Sequence, residues 1–498
     1  MEDRKEALNK LVSIVGKDFV SSEPPDLIPY VKDSYSTMMG MNVGLPDFVV
    51  LPKTEDEVVQ IVRLANEYKI PIYPRSFGVN IAGSALPYQS GGMVIDLKRM
   101  DRILEINEDT MTATIEPGVS WGQLRKAAKK KGLDVIPIGG PYETSPVGNH
   151  LLTNITLYAT KYNCDRAVAL RVVLPNGEIL RTGSWGSAVG GDINPYFRYA
   201  YGPDLTGMFR GSMGNYGIIT TMIERLRPMA EVETNIFSAY NDMASCLEAM
   251  KKIERLEITR TSFGYNHVFA EHIILSPNRI RNREEREALK KKLPPFILNC
   301  GIGGSPEMIS LYSKIIEEEV NKTGGKIIDW TQGEYELPPK DIEWMNQSCE
   351  GASRGIIHMY SPLSGFAAVI GCLPITNVDE VYHTVKDLVK QYELKDALTG
   401  EDLDHQLIIV PFDRCSTVYV EQELLYDPAG PPEYLAQVMK CLRDCYSNIV
   451  GKHGATHTIP NKTFMKMLVP AYADILKGFK KMVDPNNIMM PGGPYSLE

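Results

Sequence analysis

Paired cysteines, long apolar runs and an export signal are all missing from this sequence of 498 residues. None of its eight cysteines forms a CxxC pair, which argues against a zinc site or an iron–sulfur cluster, and we predict no metal site. No apolar run approaches the roughly 20 residues that a membrane span requires. The N-terminal stretch MEDRKEALNKLVSIVG carries charges where an export signal has an apolar core. We therefore expect a cytoplasmic protein with reduced thiols and no membrane span.

The common nucleotide-binding motifs are missing as well. No P-loop occurs, and the nearest approach to G-x-G-x-x-G is GIGGSP (301–306), which lacks the final glycine. A doubly wound dinucleotide fold is therefore not indicated. The net charge of −9 argues against nucleic acid as a partner. Hydrophobic residues make up 43% and charged residues 23% of the chain, values that are typical of a globular protein.

Helix and strand patterns alternate along the first half of the chain. The stretch TEDEVVQIVRLANEYK (54–69) predicts a helix capped by Thr54. ALRVVLPNGEILRTG (169–183) predicts a hairpin that turns at Pro-Asn-Gly. After residue 230, three strand–helix units with helices of roughly 20 residues predict a separate antiparallel sheet backed by helices. The pattern predicts an α+β fold.

Four segments rich in glycine and other small residues are spread along the chain. They are PRSFGVNIAGSALP (74–87), residues 136–163, YGPDLTGMFRGSMGNYGIIT (201–220) and DPNNIMMPGG (484–493). Small residues let a backbone approach a ligand closely, and its N–H groups can then bind a phosphate. One such loop alone could be an ordinary surface turn, but four in this order form a specific pattern.

This pattern resembles the vanillyl-alcohol oxidase/p-cresol methylhydroxylase superfamily of flavoproteins. The resemblance covers nearly the whole chain and is strongest over 45–227 and 479–493. It implies a two-domain FAD-binding fold with an inserted antiparallel-sheet cap. We predict an FAD-binding domain at 1–230 (core about 43–230), a cap and substrate domain at 231–452, and a C-terminal segment, 453–498, that returns to the FAD domain.

The resemblance also implies which residues bind FAD. They come from all four segments and are Pro74, Arg75, Ser76, Phe77, Gly78, Val79, Asn80, Gly139, Gly140, Thr144, Ser145, Gly148, Asn149, Gly211, Ser212, Gly214, Asn215, Gly217, Ile218, Ile219 and Asn487. FAD should not be covalently attached, because counting back from Pro374 places Val369 at the family's linking position, and valine has no nucleophilic atom.

Departures from the family's patterns leave the substrate open. Phenol-oxidising members hold the phenolate with a tyrosine in the first loop and a late Tyr-Arg pair, where this chain has NIAGSALP and Thr456-His457. The H-x-G-D-G-N-x-H stretch of the 2-hydroxy-acid dehydrogenases is absent, and so is the histidine run of the alkyl-dihydroxyacetone-phosphate synthases. We therefore expect phenols to be poor substrates.

Candidates for the chemistry lie in the cap and in the second loop. Catalytic candidates are His405, His457 and Glu143, each weighed against a structural histidine or a solvated carboxylate. Tyr158, Tyr162, Tyr360 and Arg414 are candidates for substrate binding, weighed against core packing and, for Arg414, a surface salt bridge.

The resemblance implies an FAD-dependent oxidoreductase that takes a hydride from an alcohol or activated C–H bond of a small organic, including aromatic, substrate and passes electrons to an external acceptor. A 2-hydroxy-acid dehydrogenase and an electron-transfer subunit of a larger redox complex are the alternatives, and a binding protein that has lost FAD is a third. A homo-dimer or higher oligomer and a redox partner protein are further expectations. Substrate, electron acceptor and catalytic base stay open.

Overall fold

The computed structural model describes ten stretches of the chain, which are 2–33, 43–78, 83–135, 142–152, 166–187, 195–274, 283–349, 365–395, 402–456 and 462–497. Within them, helices and strands alternate as the sequence predicts, and the α+β class is confirmed. The strands form three sheets of four, six and seven strands.

The first sheet has three parallel strands, so their C-terminal ends meet at one edge. In spatial order its strands are Val20–Ser21, Phe48–Val50, Met93–Asp96 and Ile72–Arg75. The helix Glu55–Tyr68 packs beside it and begins at Thr54, whose Oγ1 accepts a hydrogen bond from Glu57 N at 3.2 Å. The predicted cap is therefore confirmed, and it fixes where the chain turns toward the strand Ile72–Arg75.

The second sheet is antiparallel and is built around one long strand, Ile218–Pro228. Its strands are Ile103–Asn107, Thr112–Ile115, Leu133–Val135, Ala167–Val173, Ile179–Arg181 and Ile218–Pro228. The pairing of Ala167–Val173 with Ile179–Arg181 confirms the predicted hairpin. Apolar side chains on Trp121–Lys129 and on the second sheet share one core, which holds the two elements together.

The third sheet is antiparallel and is formed by strands between residues 232 and 426. In spatial order its strands are Lys326–Ile327, Val232–Tyr240, Phe296–Gly304, Thr261–Asn266, Gln406–Phe412, Thr417–Tyr426 and Gly365–Pro374. Successive side chains along each strand point to opposite faces. One face, here called the long-helix face, packs against the helices Met243–Glu254, Pro306–Lys322, Val378–Gln391 and Pro432–Gly451.

The opposite face, here called the aromatic face, carries Phe263, Tyr265, Phe412 and Tyr419. The helices His267–Ile274, Arg283–Lys290 and Pro339–Cys349 contribute to the same core. The third sheet thus separates two apolar cores, and the parity of a residue in its strand decides which core it enters.

The predicted helix lengths in this region need correction. Only Pro432–Gly451 has 20 residues, whereas Met243–Glu254 has 12 and Val378–Gln391 has 14. The helix Met243–Glu254 is shorter than predicted because it begins after Asp242, whose side chain accepts the capping hydrogen bond from Ser245 N. The sequence pattern overran the helices because the flanking strands and turns are also apolar.

The remaining α-helices are Glu2–Val15, Pro24–Leu27, Pro146–Leu152, Gly183–Ser187, Leu205–Met208, Lys462–Met467 and Pro470–Val483. Short 3-10 turns occur at Lys17–Phe19, Ile28–Tyr30, Leu97–Arg99 and Ile375–Asn377. Among the stretches described, none of the helices combines the length and apolar character that a bilayer crossing requires.

Candidate functional site

The C-terminal segment lies against the strand Ile72–Arg75 of the first sheet. Ile72 N donates to Ile488 O at 2.7 Å, and Met490 N donates to Ile72 O at 2.9 Å. Ile72 and Met489 accordingly form a parallel bridge. The fourth small-residue segment is therefore hydrogen-bonded to the strand Ile72–Arg75, and this strand runs into the first small-residue segment.

Residues 211–217 meet the second and fourth segments. Gly211 N donates to His150 O and Met213 N to Leu151 O, at 3.2 and 2.9 Å. The buried Lys480 ammonium donates to Asn215 O at 3.0 Å and to Met489 O at 2.6 Å, and it pairs with Asp484. These bonds bring parts of all four predicted segments to one place.

A cavity opens where these segments meet, at the C-terminal edge of the parallel strands. The space between the atoms that line it is about 770 Å³, its open mouth included. Its lining comes from three segments and the strand ends beside them: Pro74, Arg75, Ser76, Phe77, Gly78, Ser84, Ala85, Leu97, Pro117, Thr144, Ser145, Val147, Gly148, Asn149, Leu151, Leu152, Met213, Gly214, Gly217, Ile218 and Ile219.

The cavity combines a cation and small polar groups with apolar walls. Arg75 lies in its lining, with its guanidinium 4.8 Å from the centre of the Tyr30 ring. Asn149 Oδ1 accepts a hydrogen bond from Trp121 Nε1 at 2.5 Å, which orients its amide. Ser145 Oγ is held by its donation to Pro117 O at 2.7 Å. An arginine beside hydroxyl and amide groups suits a phosphate-bearing ligand.

Gly214 allows the third segment to approach the first. Its φ is +76°, and a Cβ built there would lie 2.6 Å from Cγ of Pro74 and 3.7 Å from Cγ of Met490. Real side chains keep about 3.5–4.0 Å between such carbons. A side chain at this position would therefore push apart the strand end and the segment that line the cavity.

Most of the predicted cofactor residues that the structure describes line this cavity. Gly211, Ser212, Asn215 and Asn487 lie in the same segments but outside its lining. Ser212 Oγ and Asn215 Oδ1 are buried without a hydrogen-bond partner in the part of the chain described. The predicted Val79, Asn80, Gly139, Gly140, Tyr158, Tyr162, Tyr360 and His457 lie outside the described residues.

Eight lining residues were missing from the sequence-based set. They are Ser84, Ala85, Leu97, Pro117, Val147, Leu151, Leu152 and Met213. Ser84 and Ala85 belong to the first small-residue segment, so its composition could have included them. Leu97 and Pro117 follow the strand ends Asp96 and Ile115, and only the order of strands in space identifies them.

His405 lies on the long-helix face, contrary to its predicted position in the site. Its ring is fully buried, packs 5.0 Å from the ring of Tyr382, and its Nε2 hydrogen-bonds Gln422 Oε1 at 2.9 Å. Burial lowers the pKa of His405 to about 4, against the opposing effect of Asp404. These contacts are those of a structural histidine, which was the alternative considered.

Glu143 and Arg414 are both exposed and lie outside the cavity lining. Arg414 sits in the turn between Gln406–Phe412 and Thr417–Tyr426, where its side chain is 64% exposed and pairs with Glu257. This is the surface salt bridge considered as its alternative. Neither residue touches the cavity, so the structure gives neither a role in binding there.

Comparisons with known proteins agree with the geometry of this cavity. Residues 46–183 match the family model described as an FAD binding domain. The flavoprotein subunit of 4-cresol dehydrogenase (hydroxylating) from Pseudomonas putida is 25% identical over 98% of this chain and 94% of its own. A crystal structure of p-cresol methylhydroxylase with substrate bound shares the fold, with a TM-score of 0.83 and 23% identity over 100% of this chain and 97% of that chain.

These findings support a place for the chain in the vanillyl-alcohol oxidase/p-cresol methylhydroxylase superfamily of flavoproteins. The chain is an FAD-dependent oxidoreductase with the two-domain fold that the sequence predicted. Relatives within this superfamily differ in what they oxidise. A glycolate oxidase subunit of Bacillus subtilis, for example, is 31% identical over half of each chain.

Proposed function

We propose that this flavoprotein removes a hydride from an alcohol or an activated C–H bond of a small organic substrate and passes the electrons to an external acceptor. The observation that carries the proposal is the cavity, in which three distant small-residue segments surround one cation and several small polar groups. Its position at the C-terminal edge of parallel strands suits a nucleotide cofactor. Similarity over almost the whole chain to a 4-cresol dehydrogenase flavoprotein subunit supports the same chemistry.

The residues that would hold FAD are those of the cavity. Arg75 would balance the charge of the pyrophosphate, and Ser76, Thr144 and Asn149 offer polar contacts to its oxygens and to the ribityl chain. The apolar side chains of the lining, among them Ile218, exclude water from the cofactor. FAD, when bound, supplies an acceptor for two electrons and a proton. The protein would supply its orientation and the substrate's position.

We propose that FAD is bound without a covalent link. Val369 is buried with Ala367 and Leu373 on the long-helix face of the third sheet, and valine offers no atom for a bond. The neighbouring Ala368 and Ile370, on the aromatic face, are equally unreactive. Acid precipitation should leave the flavin in the supernatant. A yellow, fluorescent protein pellet would instead point to Cys372, His358 or Tyr360 as the attachment site.

The cofactor can be tested before any substrate is known. Flavin released by heat from the purified protein should chromatograph as FAD, since FMN has a single phosphate and would leave the pyrophosphate contacts unused. A colourless protein that also fails to take up added FAD would refute the proposal. Anaerobic addition of the true substrate should bleach the flavin band. No bleaching across a wide panel of alcohols, hydroxy acids and aromatic compounds would also count against it.

A second candidate function is that of an electron-transfer subunit within a larger redox complex. The Pseudomonas relative is a flavoprotein subunit of 4-cresol dehydrogenase, and this similarity favours the second candidate. Reduced protein that is reoxidised only by a copurifying cytochrome or iron–sulfur protein, and not by oxygen or a quinone, would support this function. Free turnover with a soluble acceptor would exclude it.

The organisation of the whole protein belongs to the same proposal. We propose domain boundaries at residues 230 and 452, a homo-dimer or higher oligomer, and a cytoplasmic location. The first two sheets come from residues 20–228 and the third from 232–426, which supports a boundary near 230. Light scattering of the purified protein and fractionation of the source cells test the other two.

A further inference from the structure

Two glutamates are buried side by side on the aromatic face of the third sheet. Glu421 and Glu423 are 6% and 2% exposed, and they occupy alternate positions of the strand Thr417–Tyr426. Residues of the same parity in this strand, Tyr419 and Leu425, belong to the aromatic core, which fixes the face to which both carboxyls point. Carboxyl groups are rarely buried unless they are paired.

Hydrogen bonds join the two carboxyls to each other and to a tyrosine. Tyr419 Oη donates to Glu421 Oε2 at 2.8 Å, and the carboxyls of Glu421 and Glu423 share a hydrogen bond. Burial and the neighbouring Glu421 carboxyl hold the pKa of Glu423 well above its usual range. Burial raises the pKa of Glu421 as well, but the hydrogen bonds that it accepts from Tyr419 and Glu423 oppose this shift. Glu423 is therefore the member that keeps its proton, and Glu421 is the member of the pair that loses its proton first.

No cation balances this pair in the part of the chain that the structure describes. The pKa of Glu421 is shifted by burial and by its contacts with Tyr419 and Glu423. The pKa of Glu423 is shifted by burial and by its contact with Glu421. A structural ion pair would place an arginine or lysine here. A pair without a cation is instead the arrangement by which proteins keep one proton between two carboxyls for use at a site.

A buried glutamine points to a ligand at the same place. Gln406 lies directly across from Glu423 in the antiparallel pairing, so the two side chains stand on the same face. It is 1% exposed, yet neither its amide nitrogen nor its amide oxygen has a hydrogen-bond partner among the described residues. Buried amides without partners are rare and call for an explanation such as an absent ligand.

Apolar and aromatic side chains surround these polar groups. Ile408 and Ile370 lie across from Glu421 on the two neighbouring strands, and Ala368 lies across from Glu423. The ring of Phe412 is 6.5 Å from the ring of Tyr419. A small polar group within an apolar, partly aromatic surface is the usual composition of a site for a small organic molecule.

We propose that Glu421, Glu423 and Gln406 bind the hydroxyl group of an uncharged, apolar substrate and discriminate against carboxylate substrates. The proposal rests on the proposed oxidoreductase function and specifies its substrate class. A hydroxyl group donates its one proton in a hydrogen bond to Glu421 and accepts a hydrogen bond from the amide nitrogen of Gln406. A 2-hydroxy acid or a phenolate brings a second negative charge to the same buried place, and juxtaposed like charges cost several kcal/mol.

Benzyl alcohol and benzoate test this discrimination, since they share one ring and differ in charge. Each is titrated into the flavin-loaded protein, and the dissociation constant is taken from the change in the flavin spectrum. The wild-type protein should bind benzyl alcohol at least about tenfold more tightly than benzoate, because the expected like-charge cost exceeds the 1.4 kcal/mol of one factor of ten. Glu421→Gln should reduce this ratio at least about fivefold.

Two further variants complete the set. Gln406→Leu should weaken benzyl alcohol binding about 2- to 10-fold, the usual effect of one lost hydrogen bond. Gln422→Met is the matched control, because Gln422 lies between the two glutamates in the chain but points to the long-helix face, where it contacts His405. It should leave the ratio of the two dissociation constants unchanged. Thermal unfolding and the flavin spectrum of each variant confirm that it is folded.

Three outcomes overturn the inference. They are equal binding of both probes by the wild-type protein, an unchanged ratio in a folded Glu421→Gln variant, and no binding of benzyl alcohol. If Glu421→Gln does not fold, Glu423→Gln is used for the same comparison. A protein that carries no flavin refutes the proposed function itself, whereas a flavin-loaded protein with an unchanged ratio refutes only the role of the glutamates.

Discussion

Replacing Gly214 by alanine tests whether the cavity depends on the close approach of two distant segments. The added Cβ would stand 2.6 Å from Cγ of Pro74, so the two must separate by about 1 Å to reach ordinary contact. Pro74 lines the cavity at the end of a strand and cannot rotate away. The strain therefore falls on the cavity itself.

Two effects add up in Gly214→Ala, and a control separates them. The positive φ of +76° costs an alanine roughly 1–2 kcal/mol. The contact with Pro74 adds about 1–3 kcal/mol, as overpacking usually does. Gly202→Ala has the same backbone problem, with φ +85°, but its Cβ would meet nothing within 4 Å. The difference between the two variants isolates the effect of the contact.

The assay measures FAD affinity and thermal unfolding of both variants in parallel. We expect Gly202→Ala to lower stability without changing FAD affinity. Gly214→Ala should lower stability further and weaken FAD binding by roughly 5- to 150-fold, the range that corresponds to 1–3 kcal/mol. Equal FAD affinities in the two folded variants would refute the assignment of this cavity to the cofactor.

Three further predictions concern other parts of the molecule. Lys480→Met should lower the free energy of unfolding by about 3 kcal/mol in urea titrations, because it leaves the buried Asp484 carboxylate without its cation. The control Lys481→Met, at the exposed neighbouring position, should change the free energy of unfolding by less than about 0.5 kcal/mol. Equal effects of the two substitutions would contradict the role of the buried pair. Burial raises the pKa of Glu224 to about 7 although Arg166 opposes the shift, so its contribution to stability is full below about pH 4.5 and is lost as the pH rises through about 7. Glu224→Gln should therefore lose less stability than the wild type between these two pH values, and equal losses would show that Glu224 titrates normally. Turnover of 4-cresol and vanillyl alcohol should be poor in steady-state assays, because no Tyr-Arg pair stands at the expected place for a phenolate; rapid turnover of either compound would contradict this interpretation of the sequence.

The sequence predicted those features that depend on neighbouring residues. The Thr54 cap and the turn in 169–183 are specified within a few positions, and the structure has both. The cavity segments were predictable for a related reason, because a backbone that must approach a cofactor needs small residues wherever it does so. The small residues can therefore be recognised in the sequence although the segments that meet at the cavity are far apart along the chain.

Features that depend on which way a strand faces could not be predicted in the same manner. His405 lies one position from Gln406, yet the first enters the long-helix face and the second the aromatic face. A shift of one residue in the assumed register reverses every such assignment. The same applies to Val369, whose neighbours Ala368 and Ile370 point the other way.

The spacing of Glu421 and Glu423 in the sequence is a signal that could have indicated their site. They are two carboxylates with a spacing of two residues inside VYVEQELLY, a run otherwise typical of a buried strand. Alternation places both on one face. Charges on one face of an apolar strand indicate either an exposed edge or a buried site, and only the position of this strand between two others excludes the edge.

The bonding of the C-terminal segment to the strand Ile72–Arg75 has a consequence for how the protein is made. Asn486 donates to Asn66 across 420 residues of sequence, and the whole third sheet is synthesised between the two. Ribosomes add roughly 5–20 residues per second, so the nascent first sheet waits tens of seconds for the segment that covers it. During this interval the strand Ile72–Arg75 lacks the backbone partners that Ile488 and Met490 provide, so this edge of the first sheet stays open until synthesis is nearly finished.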